Sequence, residues 1–233
     1  LGNDKYHCLP RIFDLNIIEM ESIKKLISEG EHSQQDFKFR IEDQRKIART
    51  LVAFANSDGG RLLIGVKDNG KIAGINPEEE FHMIQGAAEL YCNPVLNFES
   101  RIWQEEMKLV LEIYIEPNAK HIFRALDEEG NWKFYIRRKD QTLIANKIVQ
   151  KVWKLEQNDI KKPSIFGENE LIILKLIKEL SPITLSKLYR ISELNKSTID
   201  QIVSLLVYWK MITMIFREDG VFYEIKEIDA ENF

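Results

Sequence analysis

The stretch from residue 53 to residue 74 constrains the fold most. It runs Ala53-Phe54-Ala55-Asn56-Ser57-Asp58-Gly59-Gly60, then Leu62-Leu63-Ile64-Gly65-Val66, then Asp68-Asn69-Gly70 leading into Ile72 and Gly74. Upstream of it, Ile47, Ala48, Leu51, Val52 and Ala55 recur at helical spacing, so a helix is expected over residues 41–55. The Asn-Ser-Asp-Gly-Gly cluster is a turn, and the unbroken apolar run after it reads as a central strand covered on both faces. Asp68-Asn69-Gly70 is a tight turn. A helix, a turn and a strand buried on both sides require a sheet with helices packed on it.

The neighbouring segments extend this reading. Residues 19–28 and 78–90 carry helical patterns, 34–39 and 132–137 read as strands, and 143–155 as a further helix. Leu109, Leu111, Ile113 and Ile115 alternate with Glu112 and Glu116, the period of a strand with one wetter face. The expected fold class is α+β, a mixed β-sheet with packed helices over residues 1–158. Lys161-Lys162-Pro163-Ser164 marks a linker over 159–167. Residues 168–233 then order themselves as a helix stopped by Ser181-Pro182, a short helix capped by Thr184, a longer helix from Ser197, and a hairpin turning at Arg217-Glu218-Asp219-Gly220. That order describes a winged helix-turn-helix.

Composition bounds the function. Of 233 residues, 44% are apolar and 30% charged, an ordinary globular balance that excludes disordered, collagenous and coiled-coil chains. Lys and Arg number 33 against 37 Asp and Glu, a net charge of −4, and neither half is basic, so any nucleic-acid site is a local patch on an acidic body. Leu1 to Lys5 show no apolar signal core, no apolar run approaches the length of a membrane span, and Cys8 and Cys92 have no CxxC partner. The expectation is a cytoplasmic protein with reduced thiols and no membrane partner.

Two sets of residues carry candidate chemistry. Glu31, Asp36 and Asp68 lie beside strand ends, where carboxylates converge on a hard cation such as Mg or Mn and support phosphodiester cleavage. Around them run Lys38, Arg40, Arg45, Lys46 and Arg49, with Arg137-Arg138-Lys139 further on; Arg45 and Arg49 share a helix face, and Tyr135 offers a stacking surface. The alternative is a solvated helix face neutralised by Glu42 and Asp43. In the C-terminal part, Lys196, Ser197, Thr198 and Gln201 open the helix that would read DNA, and Arg217 sits at the wing tip. Asp200, Glu218 and Asp219 oppose them, leaving a docking or dimerising module as the other reading. No GxxxxGK[ST] follows the glycine cluster, so an ATP cradle is unsupported. His7, His32, His82 and His121 lack ligand spacing, and Trp103, Trp132, Trp153 and Trp209 read as core.

The block from Glu31 to Lys38, then Ala53 to Gly60, then Leu62 to Gly70 with Ile72 and Gly74, resembles the Schlafen AlbA domain family. The family pattern is a Glu, an acidic-Phe-Lys triplet, AFANT-x-GG and LxIGVxDxGxIxG; Pro117 and Tyr135-Ile136-Arg137 fit later features, and the likeness spans about residues 15 to 155. The resemblance implies a bacterial DNA-binding transcriptional regulator with a C-terminal winged helix. It also implies, from the animal members, a metal-dependent endoribonuclease or endonuclease acting on structured RNA or DNA, whose three acids fall on Glu31, Asp36 and Asp68. Here the triplet opens with Asp36 rather than Glu, one methylene shorter, and Arg138-Lys139-Asp140 replaces the usual small residue. The animal nucleases pair two lobes, which a homodimer of this chain would supply.

Overall fold

The structure, a computed structural model, describes residues 22–118, 121–158, 160–163, 165–217 and 219–226. The helix expected over 19–28 is described as α1 (Ile23–Ser28), capped by the Ser22 hydroxyl, which accepts from the Lys24 amide. Its first residues, with His7, Cys8 and Glu218, lie outside the described residues.

Strands β1 (Gln35–Lys38) and β2 (Gly60–Ile64) pair in parallel across α2 (Gln44–Ala55). Asp43 caps α2 by accepting from the Arg45 and Lys46 amides, so the helix begins later than the apolar pattern from Ile41 suggests. After α3 (Pro77–Leu90) and the short β3 (Cys92–Asn93), strands β4 (Glu99–Glu105) and β5 (Lys108–Ile115) complete an antiparallel side, giving the order β1-β2-β5-β4. β2 is interior, as its apolar run requires. Leu62 and Ile64 join Leu51, Phe54, Ile84 and Ala87 on one face, and Leu63 joins Phe37, Trp103 and Val110 on the other. Fully burying one such side chain contributes about 1.5–3 kcal/mol.

Two small sheets come next along the chain. β3 pairs with β6 (Arg124–Leu126), which pairs with β7 (Trp132–Lys133), while β8 (Tyr135–Arg138) and β9 (Gln141–Ile144) form a hairpin. The single strand expected over 132–137 is therefore two, divided at Phe134. The helix expected from 143 starts only at α4 (Lys147–Glu156), because Leu143 and Ile144 are taken up opposite Ile136 and Tyr135, and Asn146 caps the helix by accepting from the Val149 amide. Trp103 is buried as expected, whereas Trp132 is exposed on the short β7. Cys92 is buried beneath α2, and desolvation pushes its thiol up to about 12, an inert sulfhydryl at neutral pH.

The C-terminal lobe runs α5 (Glu168–Leu180), β10 (Ile183–Thr184), α6 (Leu185–Ile191), α7 (Lys196–Tyr208), β11 (Ile212–Arg217) and β12 (Gly220–Ile225), with sheet order β10-β12-β11. Thr184 and Asn195 cap α6 and α7. Ile173, Ile177, Leu188, Ile199, Val203, Leu206 and Tyr223 form its core, and Ile148 of α4 enters the same cluster. The neighbouring Val149 packs instead with Ile136 and Ala145. α4 thus gives Ile148 to the C-terminal core and Val149 to a small separate cluster beside the β8–β9 hairpin.

Candidate nucleic-acid interface

The glycine-containing turn between α2 and β2 is a structural clamp. Asn56 Nδ2 donates to the Phe123 and Tyr135 carbonyls at 2.9 Å each, and its Oδ1 accepts from the Phe123 amide at 2.8 Å. Ser57 Oγ accepts from the Arg137 amide at 2.9 Å. One helix end thereby holds the backbone of two later β segments.

The three expected acids do not form a metal centre. Asp36, 4% exposed, spends Oδ1 on Arg137 Nη2 at 3.1 Å and Oδ2 on Lys38 Nζ at 2.6 Å. Glu31 is nearby, and its Oε1 accepts from the Phe37 amide at 2.9 Å. Asp68 is exposed on the turn beyond β2. Among the described residues no three His, Cys, Asp or Glu side chains are arranged to hold a metal ion. Asp36, the central carboxylate, is paired here with two cations, Arg137 and Lys38. What Glu31 and Lys38 do instead is close a sheet edge. Lys38 Nζ donates to the Phe37 carbonyl at 2.8 Å, and His32 exchanges backbone hydrogen bonds with Gln35, so the free side of β1 is covered by its own chain.

Glu31 titrates accordingly. Desolvation first, then the neighbouring Asp36, raise its pKa above the ordinary 4.5, against the opposing Phe37 amide and Lys38. A carboxyl whose folded pKa is raised favours the folded state when protonated, and that contribution is lost as pH rises from 4.5 through the folded value. Glu31→Gln keeps the acceptor for Phe37 and removes the charge. The variant is expected to melt at or above the wild-type temperature at pH 7, with the gap closing below pH 4.5, as read by thermal denaturation across pH.

The basic set divides by burial. Arg137 is 2% exposed, bonded to Thr142 Oγ1 at 3.1 Å and stacked 4.9 Å from the Phe54 ring centroid, so it is internal and not a phosphate contact. Arg49 reaches back to the Leu126 carbonyl and Glu128 and ties α2 to β6. Tyr135 belongs to the core and offers no stacking surface. Lys38 is held by Asp36. Arg40, Arg45, Lys46 and Arg138 remain exposed; Arg40 bonds Glu42, Arg45 lies over Tyr91, and Arg138 lies over Phe216.

In the C-terminal lobe, Lys196, Ser197 and Gln201 are exposed at the start of α7, Thr198 is half-buried and shares Asn195 Oδ1 in the cap, and Arg217 is exposed beside Phe222. Asp200 is buried and does not oppose these groups. It accepts from the Tyr189 hydroxyl and lies 3.0 Å from Lys147 Nζ, joining α4, α6 and α7. Lys147 has a raised pKa through its hydrogen bonds to Tyr189 and Asp200, and Tyr189 has one through desolvation first and then Asp200, against Lys147. α4 covers the Asp200 flank of α7, leaving a narrow strip through Ser197 and Gln201.

The fold around Glu31 to Asn146 has a counterpart among family models. Residues 31–146 match the family Schlafen, AlbA_2. The AlbA_2 match opens on the edge-capping Glu31 and stops at the cap of α4, so the C-terminal lobe lies outside it. A comparison with curated proteins finds no match. Among solved structures, the DIP2311 protein from Corynebacterium diphtheriae aligns over 82% of this chain at 15% identity and a TM-score of 0.39; the chain spans 34% of that protein's length. The N-terminal domain of a RecG-related protein from Nitrosomonas europaea aligns over 64% of this chain and 97% of its own, at 20% identity and a TM-score of 0.37. No helix among the described residues is long and apolar enough to cross a membrane.

One residue of the AlbA_2 region stands outside the expected set. Phe39 is 47% exposed, with Arg40 Cζ 6.0 Å and Lys67 Nζ 5.6 Å from its ring centroid. Its trace in the sequence is the Lys38-Phe39-Arg40 triplet, an aromatic between two cations directly after a strand.

Proposed function

We propose that the chain is a nucleic-acid-binding protein, a DNA-binding transcriptional regulator whose C-terminal lobe is a winged helix-turn-helix. The observation that carries this reading is the exposure of Lys196, Ser197 and Gln201 on an α7 whose other faces are buried in the lobe's core or against α4. A helix held on two sides and bare at its N-terminal turn is a helix that fits a major groove, with Gln201 suited to an adenine edge and Lys196 to a phosphate. Lys187 and Arg190 on α6 and Arg217 on the hairpin are exposed too and extend the positive charge to either side. The AlbA_2 match agrees with association with nucleic acid, and α4 joins that region to the reading helix through Lys147 and Asp200. Pairing of two chains belongs to the same proposal: Leu171, Ile172 and Leu180 leave apolar surface exposed on α5, and two lobes would address two half-sites.

Fluorescence anisotropy with a labelled duplex at low ionic strength tests the reading. Binding that weakens linearly in log Kd against log salt is expected; no salt-dependent binding contradicts it.

A further inference from the structure

We infer that Phe39, flanked by Arg40 and Lys67, is a stacking platform for an unpaired nucleobase, with the two cations receiving the neighbouring phosphates. The inference rests on the nucleic-acid reading above but concerns a different surface and a different form of the polymer.

Strand β1 ends at Lys38. Phe37, on the strand, is buried in the core, whereas Phe39 leaves the sheet and keeps nearly half its surface in water. An aromatic ring left there loses the gain that burial would give it, unless something else covers it. The cations do not cover it. At 5.6 and 6.0 Å they stand off the ring, whereas Arg101 covers the Trp103 ring at 3.7 Å. The ring is thus an open apolar face within reach of two positive charges, the combination that binds single strands by stacking and phosphate attraction.

The platform is also fixed in place. The Lys38 carbonyl accepts from both the Gly65 and Val66 amides, at 2.8 and 3.2 Å, which ties the start of the Phe39 segment to the segment that carries Lys67. Gly65 makes that approach with φ +101°, a conformation open to glycine. Preorganisation of this kind lowers the ordering cost of binding. Arg40 is shared with Glu42, but both partners are largely exposed, and a surface pair of that type yields readily to a phosphate. Duplex bases already stack on one another and present no free face to a single ring, which is why an unpaired base fits here.

The test uses the whole chain with labelled oligothymidylate and oligouridylate of about 15 nucleotides, and a duplex, all followed by anisotropy. Phe39→Ala and Phe39→Leu are expected to weaken single-strand binding by about 5- to 150-fold, the range of one stacked base, and to leave duplex binding unchanged. Phe39→Tyr restores it, and Lys67→Ala lowers the single-strand salt slope by about 0.7. Photocrosslinking of a halogenated pyrimidine oligomer maps to Phe39. Single-strand binding that survives Phe39→Ala with crosslinks elsewhere overturns the inference, as does wild-type protein that binds duplex alone. Wild-type protein that binds neither overturns the proposed function as well.

Discussion

Asp36→Ala lowers the stability of the protein by about 3–5 kcal/mol, because it leaves the Arg137 guanidinium buried without its counter-charge. Arg137 has little else to answer it: the Thr142 hydroxyl at 3.1 Å, the His32 carbonyl at 3.4 Å and the face of Phe54. None of these carries a full negative charge. Chemical denaturation measures the loss directly, and the double variant Asp36→Ala with Arg137→Met recovers much of it, since an apolar pair has no charge to desolvate. The same experiment separates a structural role for Asp36 from a metal-binding one. Carboxylates gathered to hold a cation repel one another in the metal-free protein, so removing one would raise its melting temperature.

Gly60→Ala is expected to cost about 3 kcal/mol, at the upper end for an overpacked core. A Cβ at this position would stand 2.3 Å from Phe54 Cδ1, 2.5 Å from Cε1 and 2.9 Å from the Gln34 carbonyl oxygen. The Phe54 ring is fully buried and lies against Arg137, so it has nowhere to turn. Gly130→Ala is the control. Its φ of +82° imposes backbone strain but no atom lies within 4 Å, so a loss of only about 1–2 kcal/mol is expected there. Denaturation midpoints of the two variants side by side separate packing from backbone conformation.

Both sites also mark where sequence patterns stop being informative. β2 was legible because an unbroken apolar run fits only a strand covered on both sides, α6 because Thr184 announces its start locally, and α7 because Ile199, Ile202, Val203 and Leu206 keep helical spacing. β9 was not, since Leu143 and Ile144 suit a helix as well as a hairpin and only their pairing with β8 decides. The site divides along the same line. Glu31 and Asp36 lie close in sequence and in space, yet the partner that turns Asp36 from metal ligand to buried counter-ion is Arg137, about a hundred residues away. Pattern reading grouped Arg137 with the basic surface residues and Tyr135 as a stacking surface; their burial comes from α2 packing over β8. Exposure of Lys196, Ser197 and Gln201 followed from helical period, while the covering of Asp200 by α4 came from a tertiary contact with no local trace.

The measurement that bears most directly on the proposed role of α7 is the salt dependence of duplex binding in the wild type and in Lys196→Ala. If Lys196 meets a phosphate at the N-terminal turn of α7, the slope of log K against log salt falls in magnitude by about 0.9 in the variant, with weaker binding on every sequence tested. A variant whose slope and affinity equal those of the wild type would contradict the assignment of α7 as the DNA-reading helix.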